Sequence, residues 1–246
     1  MAWPWCCGGE NLPDHAVSDF EGGEMTISRI GAASANATTL TLPTHAQWDL
    51  IVMAVARNAS ATLPTIPAGW TVHAGIAGGV AVMAVCTKTA SSAAETSGTW
   101  TNADHLSCAV YRSDTNLLVH GFASIVTSTA AGSGDNITYR EIAVPSPVTN
   151  KWLVAAAMHR NNDTDIQVAP TGMTAVASAN TVGASNGELT LHDSNANYTS
   201  WPLTVYVLTA GTSSNYKTAV CEICESPVTI PAAASGGTIF NVIGAA

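Results

Sequence analysis

Displacing the chain by 103 residues brings Arg57, Asn58, Pro67, Gly69 and Thr71 onto Arg160, Asn161, Pro170, Gly172 and Thr174. Identities this dense in so short a window mark an internal repeat, and a repeat of this size means that one structural unit is built twice. The apolar segments ahead of them, 49–56 and 152–159, fall together at the same displacement. Leu40-Thr41-Leu42-Pro43 meets Ile142-Ala143-Val144-Pro145 at 102, which puts a single-residue change in the loop between. Later, Thr89-Ala90 aligns with Thr209-Ala210 with extra loop in the second copy, and the closing segments 106–112 and 219–224 correspond without identities to set their register.

Each copy reads as a strand, a proline turn, a buried strand, a long loop, a P-x-G turn, then a hairpin and a closing strand. In the P-x-G turns, Pro67 and Pro170 preset φ while Gly69 and Gly172 supply a positive φ at the bend. Trp70 or Met173 then enters the next strand pointing inward. Runs rich in Val, Thr, Ile and Tyr, bounded by Gly, Pro, Asn and Ser, show no helical period. The fold class expected is all-β, an antiparallel sandwich of jelly-roll or immunoglobulin-like type made of two degenerate copies. The expected organisation is an extended arm over 1–35, a first copy over 36–112, a connector over 113–136 with a crossing strand at 117–126, a second copy over 137–225, and a linker with a last strand over 226–246.

Composition narrows the partners. The 246 residues are 47% hydrophobic and only 10% charged, where about 25% charged is ordinary. A charged coiled coil or an acidic disordered chain needs far more Lys, Glu and Arg. With 8 Lys plus Arg against 17 Asp plus Glu, a net charge of −9 and no basic cluster, nucleic acid is excluded as the expected partner. The apolar runs 50–56, 79–86 and 152–158 are well short of the roughly 18 residues of a membrane-spanning helix, so no membrane partner is expected. The opening MAWPWCCGGENLPDH lacks the basic and apolar regions of a secretory leader.

Chemistry-bearing motifs are few. Cys221 and Cys224 spell C-x-x-C, but in an extended strand three steps separate the Cα atoms by roughly 10 Å, beyond the roughly 7 Å reach of a disulfide. Adjacent Cys6 and Cys7 are equally awkward partners for each other. The bridges expected are Cys6 or Cys7 with Cys221, Cys224 or a neighbouring subunit's cysteine, and Cys86 with Cys108, against the alternative of buried free thiols. The seven histidines lack metal-ligand spacing, and the Asn161, Asn162, Asp163, Asp165 loop lacks the glycine and closing glutamate of a calcium loop. No metal and no cofactor are expected. Neither a G-x-S-x-G elbow nor a phosphate loop occurs, so the chain reads as no enzyme. Trp70 reads as core, whereas Trp100 and Trp201 could serve as glycan-stacking platforms. Trp3 and Trp5, flanking Pro4 in a loose arm, are costly to leave in water and read as an anchor in a pocket on another subunit or on the shell.

The segments TLPTIPAGWTV (62–72), KTASSAAETSGTW (88–100) and AVYRSD (109–114), followed by a second, degenerate round, resemble the two-half β-sandwich structural proteins of tailed bacteriophage virions. The resemblance covers residues 37–225. In the second round Met173 replaces Trp70, and AVCEIC replaces AVYR. What it implies is a non-enzymatic head decoration, neck, collar or tail attachment protein, assembled in the host cytoplasm and released by lysis, where cysteines can oxidise. The expected partners are further copies of the chain, as a trimer, and other virion proteins. The competing function is a host-recognition module that binds a surface glycan.

Overall fold

Small and β-branched apolar residues in short runs, punctuated by turn formers, favour extended chain over helix. The computed structural model describes residues 27–79, 81–113, 115–126, 136–140, 142, 150–160, 168–181, 187–199, 204–208 and 216–229, with no helix among them. A first sheet contains β1 (Ser28–Ala35), β2 (Leu50–Asn58), β3 (Thr71–Ile76), β4 (Ala81–Thr89) and β5 (His105–Arg112). The second half supplies β6 (Thr115–Val126), β7 (Asn136–Arg140), β8 (Lys151–Arg160), β9 (Thr174–Thr181), β10 (Gly187–Asp193), β11 (Thr204–Leu208) and β12 (Tyr216–Thr229). Strand order is β1-β5-β2-β4-β3 in one sheet and β6-β12-β8-β10-β9 in the other, with β7 and β11 forming a separate ribbon. All pairings are antiparallel. The expected all-β sandwich is therefore what forms. The first sheet takes β2 to β5 from the first copy and β1 from the segment before it, and the second takes β8, β9, β10 and β12 from the second copy and β6 from the connector.

The duplication extends to irregularities. In the first sheet the ladders slip between Arg29 and Gly31 on β1 and between Val72 and Ala74 on β3. In the second they slip at the matching places, between Cys221 and Ile223 on β12 against β6, and opposite Leu191 and His192 on β9. A β-bulge adds a residue and sharpens local twist, so repeating both bulges repeats the curvature of the sheet.

Ladder pairing corrects the alignment of the copies. Leu50 faces Tyr111 across its ladder, as Trp152 faces Ile223, so Leu50 corresponds to Trp152. The displacement of 103 is one residue out of step within β2 and β8. The reason is the two-residue period of a strand: a slip of one would turn Val52 and Ala54 away from the core. Thr89-Ala90 likewise does not match Thr209-Ala210. The partner of Val52 is Thr87 and that of Val154 is Asp193, so β4 corresponds to β10. The added chain of the second copy includes β11, which pairs with β7.

The two sheets pack face to face over one core that takes Leu50, Val52, Ala54, Met83, Val85 and Tyr111 from the first and Trp152, Val154, Met158, Leu189, Leu191 and Ile223 from the second. Each large side chain buried there contributes roughly 1.5–3 kcal/mol. The outer faces are covered too: Leu40, Trp100 and Ala103 lie over Met53, Val55 and Cys108, and Ile137, Tyr139 and Ile142 lie over Leu153, Ala155 and Val220. β2 and β8 are thus buried on both sides.

Candidate functional site

The turn glycines have the backbone the sequence requires, with φ of 85° at Gly69 and 81° at Gly172. Met173 N–H closes its turn on Pro170 O at 2.9 Å. Trp70 and Met173 pack on the outer faces of their sheets, under the covering layers, and not in the core between the sheets.

Trp100 is a correction. It is fully buried, edge-on to half-buried Trp70 with centroids 5.1 Å apart, while the Trp70 indole N–H donates to Ser97 O at 3.1 Å. Its N–H bond from the backbone to Thr38 O, at 2.7 Å, fixes the loop that seals it in, so no sugar ring can stack on it. Trp201 and the arm residues Trp3, Pro4, Trp5, Cys6 and Cys7 lie outside the described residues.

The expected Cys86–Cys108 bridge is also corrected. Both thiols are free and buried. Met53 pairs with Cys86 on one side and Cys108 on the other, so a whole strand separates them by roughly twice the 4.8 Å interstrand spacing, too far for a disulfide. Burial pushes both thiols up to about 12. Cys221 and Cys224 are buried as well and form no disulfide among the described residues, and Cys221 sits in the core between the sheets.

The structure gathers charge at one end of the sandwich. Ser28 begins β1 opposite Arg112, at the end of β5. Arg112 donates from Nε and Nη2 to the two oxygens of Asp49, each at 2.7 Å, and this bidentate bond raises the Arg112 pKa. Ala46 N–H donates to the same carboxylate at 2.7 Å. Across the core, Arg29 Nη1 reaches both oxygens of Asp193 at 2.7 Å, Tyr111 O–H donates to it at 3.1 Å and Thr174 O–H at 3.3 Å. Desolvation, then the Asp193 charge, pushes Tyr111 well up. Glu225 accepts from Ser113 O–H and, at 2.8 Å, from Asn150 Nδ2. The chain leaves β12 at Thr229, opposite Thr115, so it enters and leaves the body at this same pole.

Sequence reasoning missed the aromatic found here. Trp48 precedes β2 with φ of 76° and stays 50% exposed. A left-handed conformation costs a bulky residue about 1–3 kcal/mol. It is held by hydrogen bonds from Trp48 N–H to Ala90 O and from Ala90 N–H to Asp49 O, both 2.8 Å. The only sequence hint is an aspartate directly after it, a residue that closes turns with its side chain. Beyond Ala90, Ser91 donates N–H and O–H to Glu95. Lys88 donates to Glu95 at 2.6 Å and holds it down at about 2. Glu95 lines a shallow groove of about 390 Å³ with Thr39, Thr41, Thr96, Ser97 and Thr99.

No group of His, Cys, Asp or Glu suited to a metal ion occurs among the described residues. No helix among them is long and apolar enough to cross a membrane. Comparison with protein-family models, curated proteins and solved structures gives no match in any of the three.

Proposed function

We propose that this chain is a non-enzymatic structural component of a tailed-phage virion, held in its assembly by the segment before Ser28 and presenting the sandwich outward. The observation that carries the reading is the entry and exit of the chain at one pole, beside a strained and exposed tryptophan. A body tethered at one end leaves its loops at the other end free to face outward. The use of charge supports it: Asp49, Asp193, Glu95 and Glu225 each accept hydrogen bonds from neighbouring strands or loops. Carboxylates so paired hold strands and loops in place.

Two variants test the assembly role. Deleting residues 1–10 should leave the thermal unfolding of the body unchanged and abolish incorporation when the chain is supplied to assembling particles. Normal incorporation would refute the anchor. Trp48→Gly should stabilise the isolated chain by about 1 kcal/mol, because glycine accepts the positive φ without strain, and should lower incorporation. A destabilised chain that incorporates normally would show Trp48 to be structural only.

The second reading, a glycan-binding module, is favoured by the hydroxyl-lined groove with Glu95 and by the nearby exposure of Trp48. Sugar-dependent quenching of tryptophan fluorescence, lost in Trp48→Gly, would decide for it.

A further inference from the structure

The segment that covers the outer face of the first sheet after β1 has the character of a strand but no ladder. Along 39–42 exposed and buried positions alternate, with Thr39 and Thr41 exposed, Leu40 buried and Leu42 half-buried, the period of a half-buried strand. Leu40 N–H donates to Ser97 Oγ at 3.2 Å, and Thr38 O accepts from Trp100 N–H at 2.7 Å. Residues 38 and 40 thus turn main-chain groups toward 97–100. In extended chain the main-chain groups of successive residues point to opposite sides. Those of Thr39 and Thr41 therefore face the other way, and neither residue has a hydrogen-bond partner among the described residues.

Native proteins cover or blunt such an edge, because its open N–H and C=O groups template pairing with another strand. The groove of about 390 Å³ runs beside it, lined by Leu40 and Leu42 as well as by the hydroxyls of Thr96, Ser97 and Thr99. Its carboxylate, Glu95, is already paired with Lys88, so the groove offers no free charge to an occupant. An uncharged, apolar strand is what matches it. Leu42 packs with Ile51, Ala90 and Val110, and Ala90 bonds to Trp48 and Asp49. That end of the groove therefore lies toward the pole where the chain leaves β12, at Thr229.

The chain after Thr229 carries a segment of this chemistry. The last strand expected after the linker falls on Thr238–Ile243, with the sequence TIFNVI, outside the described residues. It is rich in β-branched and aromatic residues, and no Asp, Glu, Lys or Arg follows Glu225. The segment before Ser28 is unsuited. It carries Glu10, Asp14, Asp19, Glu21 and Glu24 with no Lys or Arg, and would set carboxylates beside Glu95. Residues 230–237 separate Thr229 from Thr238, and eight extended residues span at most about 26–29 Å. From β12 to the cover of the first sheet is two layer spacings, about 20 Å. A tether this short holds the strand at a roughly millimolar effective concentration, which favours a chain's own segment over that of a second copy. We infer that Thr238–Ile243 adds as a strand along 39–42 of its own chain, bonded through the main chain of Thr39 and Thr41, with Phe240 set in the groove. This goes beyond the assembly role, which uses the segment before Ser28, and it closes the groove to a sugar.

The test is amide hydrogen exchange of the full chain, read by mass spectrometry on peptides covering 38–43 and 238–243, with β2 as the internal control. The 38–43 peptide should exchange about tenfold more slowly in the wild type than in Phe240→Asp, at every protein concentration and with no change in β2. Thr41→Pro removes a main-chain donor that no other described residue uses. It should speed exchange over 238–243 by a similar factor and leave β2 unchanged. Equal exchange of 38–43 in the wild type and Phe240→Asp, or of 238–243 in the wild type and Thr41→Pro, overturns the inference. Protection that fades on dilution overturns it as well, by assigning the edge to the segment of a second copy. Neither result bears on deletion of residues 1–10, so this inference and the assembly role fail separately.

Discussion

Asp193→Ala should lower the stability of the chain by about 3–5 kcal/mol, the range for breaking a buried ion pair from one side. The carboxylate is fully buried and accepts from Arg29, Tyr111 and Thr174. Two of those donors come from the first sheet and one from the second. Removing it leaves the buried Tyr111 hydroxyl without its acceptor and strands a guanidinium that is only 26% exposed. The partial exposure of Arg29 places the loss toward the lower end, because water can solvate part of the freed charge. Asp193→Asn, which keeps the shape and one acceptor oxygen, should lose less. Urea unfolding of both variants and of the Arg29→Ala double mutant isolates the coupling. A loss below about 1 kcal/mol for Asp193→Ala, within the ordinary range for surface pairs, would show that the pair does not join the sheets.

The second large effect is acid destabilisation through His192. Its ring is fully buried, and neither nitrogen has a hydrogen-bond partner among the described residues. Desolvation drops its pKa from 6.5 to about 4. A depressed histidine is neutral in the folded chain where the unfolded chain is already protonated, so the unfolded state binds more protons in this window. Stability is therefore complete above pH 6.5 and falls as pH drops toward 4, by about 3 kcal/mol. His105 is lowered by burial too and acts in the same direction. The stabilisation from Glu95 is present above pH 4.5, its ordinary value, and is lost only as pH falls below it. His192→Leu should flatten the slope of unfolding free energy between pH 6.5 and 4.5. Parallel slopes in the variant and the wild type would exclude His192 as the cause. The matching ladder position in the first copy is Cys86, which stays uncharged there.

Strand periodicity and the P-x-G turns were legible because each rests on neighbours a few residues apart. The pairing of Arg29 with Asp193 was not, since it joins residues from opposite halves of the chain that no local pattern relates. The burial of Trp100 was equally hidden. Its sequence surroundings are those of a loop, and only the folding of 90–104 back over the first sheet puts it in a core. Cys86 and Cys108 looked bridgeable because spacing along the chain says nothing about which strand lies between two others. Trp48 was missed because an exposed aromatic and a buried one are spelled alike.

By itself the sequence determined the fold class, the duplication and the positions of the glycine bends, because side-chain alternation and backbone sterics act over a few residues. The tertiary structure alone decided the register between the copies, the separation of the cysteines, and the gathering of ion pairs at one pole. Those depend on which strands become neighbours, and that choice is made by the joint burial of two sheets whose residues are far apart in the chain.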